Sequence, residues 1–549
     1  MRPPRRRFAL LLALACALGA PAPVRADAGA ADRDVEAARK AAAESRNAEA
    51  VRLFEAAIAA DPARADQWKP ELAGQLTWAG QPERAIPIYR ERLAAGTLSP
   101  ADARRARLGL ALALSWNDEN DPSLREYDAL LAADPGDTEA LLGRARVLSW
   151  QDRLGASSSA YEDVLAKDPG NAEARRGLAR VQSWRGMQLD AQGRLGGLLQ
   201  QSPDDGEAAF LLSQSQDWIG RPDRAEETLR ARLAKQPDDA RARALLDNLE
   251  FRERPDSRIY WTESHQSDKL VIDTLGVEHN VRFDNGRTTI GPRYTLYNYD
   301  PSRRQGSHFL VNRPGLYARH RFDDRVEWTG QVFVDLIRPR SVPFARARNH
   351  AVVTYDTWLT LWPHDKVRVY AGSNRTTFDN AKSLQRGIAA TFANLSVDLL
   401  PDEKTRLTGR INWGDYTDGN SRTWGQAEFE RRLWNRPKFY VGWRYTTFDF
   451  EKELDNGYFN PNTYNANALT LRTTGDLRKK LTYNFDGYYG VEDSNPGDDQ
   501  PIWGASSLVT WTPVRRVELQ GGYGYFSSAT ASSGGFARGT ALAGLRFVW

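Results

Sequence analysis

The chain has 549 residues, of which 41% are hydrophobic and 27% charged, and its formal net charge is +4 at pH 7. This length is sufficient for two or three domains, and the near-globular composition does not by itself reveal a membrane protein. The only cysteine, Cys16, lies in the N-terminal leader, which excludes disulfide bonds and thiolate chemistry from the rest of the chain.

The first 26 residues predict a signal peptide. Arginines at positions 2 and 5–7 precede an apolar run over 8–20, and Val24-Arg25-Ala26 is an A-x-A-like cleavage site. The mature protein then begins at Asp27. One alternative is acylation of Cys16, although Leu14 is unusual for a lipoprotein signal. The other is twin-arginine export, but that route carries folded proteins, whereas a barrel must reach its membrane unfolded. No later run of 18 apolar residues follows, so any membrane-spanning segment must be a β-strand.

A 34-residue period fills the first half. Prolines at positions 62, 100, 135, 169, 203 and 237 are spaced by 38, 35, 34, 34 and 34 residues. This period is the signature of tetratricopeptide repeats. One insertion over 95–102 accounts for the longer spacings. The pattern predicts an α-helical tetratricopeptide-repeat solenoid over 27–251, with about six repeats over 31–239 and a last helix near 240–251.

Two repeat positions define the helix contacts. One position is small, with Ala38, Ala73, Ala111, Ala145 and Ala179, as close helix packing requires. A second position is bulky, with Phe54, Tyr89, Tyr127, Tyr161, Leu195 and Leu229. Each repeat cannot bury its apolar face alone, so the repeats must stack.

A tryptophan follows the same period, at Trp78, Trp116, Trp150, Trp184 and Trp218. These side chains either form an aromatic row that stacks on sugar rings or a partner peptide, or pack at the end of each first helix. The solenoid contains no histidine, which argues against metal or acid–base chemistry there. Residues 26–250 hold 30 basic and 38 acidic residues, a net charge of about −8, so nucleic acid is not an expected partner.

The second half alternates with period two. Phe439, Val441, Trp443 and Tyr445 alternate with Lys438, Tyr440, Gly442 and Arg444. This apolar-out, polar-in pattern is typical of transmembrane barrel strands of about ten residues and predicts an outer-membrane β-barrel over 252–549. The alternative, a soluble β-sandwich, would not need long loops on one side only.

Turn signals predict the topology. Seven short turns are expected at 284–286, 323–324, 363–366, 401–404, 435–438, 478–480 and 513–516. Longer loops are expected at 299–307, 338–349, 373–383, 415–422, 449–463, 491–500 and 527–534, with a brief one near Gln266. This arrangement predicts a 16-stranded antiparallel transmembrane β-barrel with both ends on the periplasmic side.

Aromatic residues beside the short turns predict contact with outer-membrane lipid, at Phe283, Phe322, Trp362, Trp434 and Trp511. At the C-terminus, Gly544, Phe547 and Trp549 resemble the signal that barrel-assembly machinery recognises, although Leu542 replaces its usual polar residue.

Sixteen strands leave an aqueous lumen unless it is plugged. Alternation predicts that the inward charges include Glu327, Asp335, Arg368, Arg406, Arg410, Glu428, Glu430, Arg432, Arg444, Arg472, Asp486, Glu518 and Arg546. Tyr370, Tyr440 and Tyr488 are expected on the same path. These residues either contact a passing polymer or solvate a water-filled wall. Residues 251–549 hold 40 basic and 33 acidic residues, about +7, which does not predict a strongly ion-selective pore.

The order of signal peptide, tetratricopeptide solenoid and barrel resembles the poly-β-1,6-N-acetylglucosamine export porin family of tetratricopeptide-repeat plus outer-membrane β-barrel exopolysaccharide exporters. The resemblance covers nearly the whole mature chain, although six repeats are fewer than is typical. It implies a biofilm-related porin without cofactors that exports a polysaccharide, with the repeats receiving polymer or docking a periplasmic protein partner.

Two other functions remain open from sequence. The chain is alternatively an outer-membrane scaffold with a plugged barrel. An outer-membrane protease would need Asp-Asp and His-Asp pairs at the rim, where Asp498-Asp499, His265 and His308 are the candidates. No Gly-x-Ser-x-Gly motif, phosphate loop or His-x-x-x-His pair is present in the sequence, and we expect no enzyme activity.

Overall fold

The structure is a computed structural model that describes residues 28–301, 308–341, 349–495, 499–532, 535 and 537–549. The predicted signal peptide and Asp498 lie outside the described residues. Within this part of the chain, no helix is both long and apolar enough to cross a membrane. The chain divides into two compact units, the first ending at Lys167 and the second beginning at Asp168.

The first unit consists of helices that pack against their neighbours in sequence. They are α1 (Ala28–Ala43), α2 (Asn47–Ala60), α3 (Ala65–Trp78), α4 (Pro82–Ala94), α5 (Pro100–Trp116), α6 (Asn120–Ala133), α7 (Thr138–Trp150) and α8 (Leu154–Lys167). The 95–102 insertion lengthens the link between α4 and α5 and the start of α5. Ala38, Ala73, Ala111 and Ala145 are fully buried, as the repeat pattern predicted.

Bulky side chains of one helix pack onto glycines of the next. The rings of Tyr89 and Tyr127 lie against Gly109 of α5 and Gly143 of α7, where a Cβ atom would overlap them. Burial raises the pKa of both tyrosines to about 12. The aromatic knob and the glycine opposite it therefore form one packing unit.

The second unit joins five helices to the β-sheet. Its helices are α9 (Ala172–Trp184), α10 (Gln188–Gln201), α11 (Gly206–Trp218), α12 (Pro222–Lys235) and α13 (Ala240–Arg252). The first eight strands are β1 (Asp256–Gln266), β2 (Leu270–Phe283), β3 (Thr288–Pro301), β4 (His308–Arg321), β5 (Val326–Ser341), β6 (His350–His364), β7 (Val367–Thr377) and β8 (Ala389–Asp402). The others are β9 (Thr405–Tyr416), β10 (Ser421–Asn435), β11 (Lys438–Phe450), β12 (Thr463–Arg478), β13 (Leu481–Asn495), β14 (Gln500–Val514), β15 (Val517–Phe526) and β16 (Arg538–Val548).

The sixteen strands form a closed antiparallel barrel. Each strand pairs with the next in sequence, and β1 closes the sheet on β16, with Asp256 opposite Val548. The predicted fold class, a helical repeat solenoid followed by a 16-stranded antiparallel barrel, is therefore confirmed. All seven short turns lie where the sequence placed them, together with both ends of the barrel. We call this the short-turn end and the opposite one the long-loop end.

Two loops differ from the prediction. The expected 415–422 loop is shorter, because β9 continues to Tyr416 and β10 begins at Ser421. The expected 373–383 loop begins later, because β7 continues to Thr377, and it contains a short helix, α14 (Ala381–Arg386). Asn380 caps this helix by accepting a hydrogen bond from Lys382 N at 2.9 Å, and Gly387 ends it with a φ of +64°. Many strands are also longer than ten residues, up to the 16 of β5 and β12.

Candidate functional site

The inner wall of the barrel is the candidate site. Outward positions are recognised by exposed apolar side chains, such as the cross-strand partners Trp443 and Leu469. Because strand side chains alternate, the residues between them face the lumen. This register places all the predicted path residues on the inward face, namely Asp335, Arg368, Tyr370, Arg406, Arg410, Glu428, Tyr440, Arg444, Arg472, Asp486, Tyr488 and Glu518. Their role in passage stays a prediction.

Six of the inward residues form one ionic cluster on β9–β12, which we call the arginine–glutamate lattice; its members are Arg406, Arg410, Glu428, Glu430, Arg444 and Arg472. Glu428 lies 3.6 Å from Arg410 and 3.8 Å from Arg444. Glu430 pairs with Arg406 at 3.5 Å and accepts a hydrogen bond from Nη2 of Arg472. Four guanidinium groups thus share two carboxylates, which leaves this part of the wall locally cationic with N–H groups to spare.

The three predicted tyrosines lie against other lumen side chains. The Tyr440 ring stacks under the Arg472 guanidinium at 4.4 Å, and Tyr488 stacks on Phe526 with 6.0 Å between ring centroids. The Tyr370 hydroxyl donates to Asp398 at 3.5 Å. Each ring is therefore held in place by a neighbour.

Loop residues enter the long-loop end of the lumen. Leu384 of α14 belongs to a buried apolar cluster with Leu270, Ile272, Tyr299, Phe309, Val311 and Ile337. These strand residues face inward, so α14 lies inside the barrel. The β11–β12 loop (451–462) braces it, because Ser383 Oγ donates to Asn456 O at 2.8 Å and Lys382 pairs with Asp455.

Beneath these loops is a cavity of about 610 Å³, which we call the long-loop chamber. Both wall and loop residues line it: Tyr297, Tyr299, Val311, Arg313, Asp335, Thr376, Thr377, Phe378, Asp379, Phe392, Tyr416, Arg422, Trp424, Phe448, Phe450, Tyr458, Phe459, Thr530, Ser532 and Arg538. Of these residues, the sequence pattern predicted only Asp335 as part of the site. The missed signal was the two-residue alternation of Phe448 with Phe450 and of Arg422 with Trp424. It was missed because the predicted loop over 415–422 included Tyr416 and Arg422.

At the short-turn end, helices of the second unit contact the barrel turns. Asp365, between β6 and β7, accepts hydrogen bonds from Leu189 N and Asp190 N of α10, both at 3.0 Å. Burial raises the pKa of the Asp365 carboxyl, against the opposing effect of these two amides. Asp324, between β4 and β5, pairs with Arg221 at 2.7 Å and Arg224 at 2.6 Å. The sequence did not single out these turn carboxylates.

The five repeat tryptophans end helices α3, α5, α7, α9 and α11. Their side chains are 40–52% exposed, so they are not core residues. Trp78 and Trp116 contact each other edge to face, with 5.1 Å between ring centroids. About half of each tryptophan side chain is thus accessible at the end of these helices.

The predicted assembly signal closes the sheet. Trp549 packs edge to face on Phe547 at 5.2 Å, and its Nε1 donates to Ser257 Oγ of β1 at 3.0 Å. Gly544 lies opposite Tyr260 and Gln520 on the inward face. These contacts link the last residues of the chain to the first strand.

Comparisons with known proteins identify the repeats. A family model described as tetratricopeptide repeat matches residues 189–249, which confirms the class of helix pair in this segment. The cellulose synthase 1 operon protein C of Komagataeibacter xylinus is 39% identical over 105 residues, 17% of this chain and 8% of that protein. The chain therefore spans far less than two thirds of that relative's length.

Solved structures align more distantly. A bacterial polysaccharide outer membrane secretin aligns with 10% identity and a TM-score of 0.43, over 54% of this chain and 99% of its own. A tetratricopeptide repeat protein from Parabacteroides merdae aligns with 16% identity and a TM-score of 0.34, over 41% of this chain and 88% of its own.

Proposed function

We propose that this chain, which resembles the tetratricopeptide-repeat plus outer-membrane β-barrel exporters of exopolysaccharide, is an outer-membrane porin that carries a polysaccharide from the periplasm to the cell surface. The observation that carries the proposal is a closed barrel with a polar, charged inner wall whose short-turn end contacts tetratricopeptide helices. A polymer entering at that end meets the repeats before the lumen.

The barrel supports an outer-membrane location, since sixteen strands with an apolar outer face and one set of short turns are the features of outer-membrane barrels. In such barrels the short turns face the periplasm. On this assignment the signal peptide exports the chain, and barrel-assembly machinery recognises Gly544, Phe547 and Trp549. The repeat domain then lies in the periplasm.

The proposed cargo is a poly-N-acetylglucosamine-like polymer. Hydroxyl and acetamido groups would hydrogen-bond the polar wall weakly and repeatedly, while ring faces stack on Tyr440 and Tyr488. The relative from a cellulose synthase operon supports a polysaccharide but makes a glucan the competing cargo. The exposed tryptophans support a role for the repeats in receiving polymer or docking a periplasmic protein. No catalytic role is proposed.

The test is deletion of the gene, with polysaccharide measured both outside the cells and in the periplasm. Loss outside with accumulation inside is the expected result, and complementation with the full chain should restore secretion. Unchanged secretion would contradict the exporter.

A second candidate, a tethered scaffold with a plugged barrel, is favoured by one observation, the packing of α14 inside the lumen. A scaffold plugged by α14 should conduct no ions in planar bilayers as the full-length protein, and deletion of its gene should leave polysaccharide secretion unchanged. An exporter should conduct in the same assay, and its deletion should abolish secretion.

A further inference from the structure

The long-loop chamber differs chemically from the lumen below it. Ten of its twenty lining residues are aromatic, whereas the arginine–glutamate lattice is charged. Its volume of about 610 Å³ is that of a ligand pocket rather than a packing defect. Pockets for small ligands combine apolar walls with a few placed polar groups, and the chamber has this composition.

The aromatic rings come from both the wall and the loops. Trp424 of β10 faces inward between its cross-strand partners Asn412 and Phe448. Tyr458 of the β11–β12 loop stacks on wall residue Tyr416 at 5.0 Å and on Phe378 at 5.2 Å. The chamber is therefore complete only while the loops lie inside the barrel.

The polar groups of the chamber leave one cation unmatched. Arg313 pairs with Asp335 at 3.1 Å, and Arg538 pairs with Asp379. Arg422, among the residues the structure describes, has no acidic partner; it stacks over Phe392 at 4.8 Å and donates Nη2 to Asn412 Oδ1 at 3.1 Å. Its Nε is buried and has no hydrogen-bond partner among the described residues.

We propose that the long-loop chamber is a saccharide-binding subsite that takes uncharged pyranose rings. The apolar C–H face of a pyranose stacks on an aromatic ring such as Trp424, and a hydroxyl or acetamido oxygen accepts a hydrogen bond from Arg422. A protonated amino sugar is disfavoured, because its ammonium group would lie beside the unmatched guanidinium. This inference rests on the proposed function for the identity of the ligand, which is the exported polymer.

The chamber also discriminates between two forms of one polymer. An N-acetylated glucosamine chain is uncharged, whereas its de-N-acetylated form is cationic at neutral pH. The charge of Arg422 therefore selects the acetylated form, or an uncharged glucan, at the last part of the lumen before the loops.

The experiment is calorimetric titration of the full-length protein in detergent with three tetrasaccharides: β-1,6-linked N-acetylglucosamine tetramer, its fully de-N-acetylated counterpart, and cellotetraose. We expect at least one uncharged tetramer to bind about tenfold or more tightly than the cationic one. Trp424→Ala should weaken that binding by about tenfold or more, because one stacking face is lost. Arg422→Gln should reduce the preference for the uncharged tetramer.

Trp443→Ala is the matched control, since Trp443 faces outward with its side chain 41% exposed. It should leave binding unchanged. The electrophoretic mobility of unheated samples shows that each variant barrel is folded. The proposal is overturned if no uncharged tetramer binds, if the cationic one binds as tightly, or if Trp424→Ala binds like Trp443→Ala.

The subsite and the exporter can fail separately. Loss of secretion in the deletion strain without tetramer binding would overturn the subsite and leave the exporter. Tetramer binding with unchanged secretion would overturn the exporter and leave a saccharide site whose ligand comes from outside the cell.

Discussion

At the residue scale, glycines and carboxylates at fixed repeat positions determine how the helices meet. Gly143 lies under the buried ring of Tyr127. Asp137, whose side chain is almost fully buried, caps α7 by accepting from Ala140 N at 3.2 Å and holds both Nε and Nη2 of Arg104 at 2.7 Å. One residue therefore serves both the helix end and the contact between neighbouring helices.

We expect Gly143→Ala to destabilise the first unit by about 1–3 kcal/mol, because the added methyl group overlaps Tyr127 in a packed core. Helix propensity alone predicts the opposite sign, by about 1 kcal/mol. Gly155→Ala in α8 is the control, since no described atom beyond its chain neighbours and the adjacent backbone of its own helix lies within 4 Å of its Cβ position, and it should stabilise. Urea titration of the full-length protein, followed by circular dichroism at 222 nm, measures both.

We expect Asp137→Asn to lower stability at pH 7 by about 1–2 kcal/mol, since asparagine keeps the cap but loses the charged hydrogen bonds to Arg104. The Arg104 hydrogen bonds hold the pKa of Asp137 below its usual value. Such a group stabilises the fold above its unfolded-state pKa, and this contribution is lost as the pH falls through the lower folded-state pKa. Wild type and variant should therefore converge in strong acid.

The same urea titrations, run from pH 7 down to pH 2.5, measure this effect. Asn171, which caps α9 with Ala174 N at 3.0 Å, is the natural counterpart one repeat later. Asn171→Ala removes a cap that has no arginine at the equivalent position and should lower stability by about 1 kcal/mol at pH 7 and at pH 2.5 alike. A stability difference between Asp137→Asn and wild type that persists unchanged at pH 2.5 would contradict the role of the ion pair.

At the element scale, the short turns of the barrel also bind helices. Two backbone amides of α10 donate to Asp365, and two arginines at the start of α12 pair with Asp324. Arg515 adds a hydrogen bond from Nη2 to Asp247 O of α13 at 2.8 Å and stacks on Phe251. These contacts explain why α9–α13 form one compact unit with the barrel, although the repeat pattern runs unbroken across Lys167 and Asp168.

We expect Asp365→Ala to loosen the start of α10, because two amides lose their acceptor. A lost cap of about 1 kcal/mol corresponds to roughly fivefold faster amide exchange there. Hydrogen–deuterium exchange of a peptide covering 186–194 measures this. Asp402→Ala is the control, because Asp402 accepts from Lys404 N at 2.8 Å within its own turn. Equal exchange in the two variants would contradict a docking role for Asp365.

At the scale of the whole molecule, α14 and the β11–β12 loop occupy part of the lumen. Leu384, Ser383 and Tyr458 hold α14 and the β11–β12 loop inside the wall. Neither hydrophobic alternation nor turn signals describe such packing, because both report only neighbours in sequence.

We expect replacement of residues 379–387 by a Gly-Ser linker to raise single-channel conductance in planar bilayers several-fold, because the new loop has no apolar anchor in the lumen. Replacement of 267–269, a short loop at the same end of the barrel, should leave the conductance at the wild-type level. A conductance no higher than that of the wild type would contradict a role for α14 in narrowing the lumen.

The sequence alone determined the order and class of the elements. A 34-residue period and a two-residue alternation are local, so the repeats, the seven short turns, the sixteen strands and the inward position of Arg406, Glu428 and Arg472 could all be predicted. Tertiary structure decided what depends on residues far apart in the chain. Glu428 and Glu430 meet arginines from three other strands, Asp365 meets α10, and α14 enters the lumen, because closing the sheet brings together side chains that no sequence period relates.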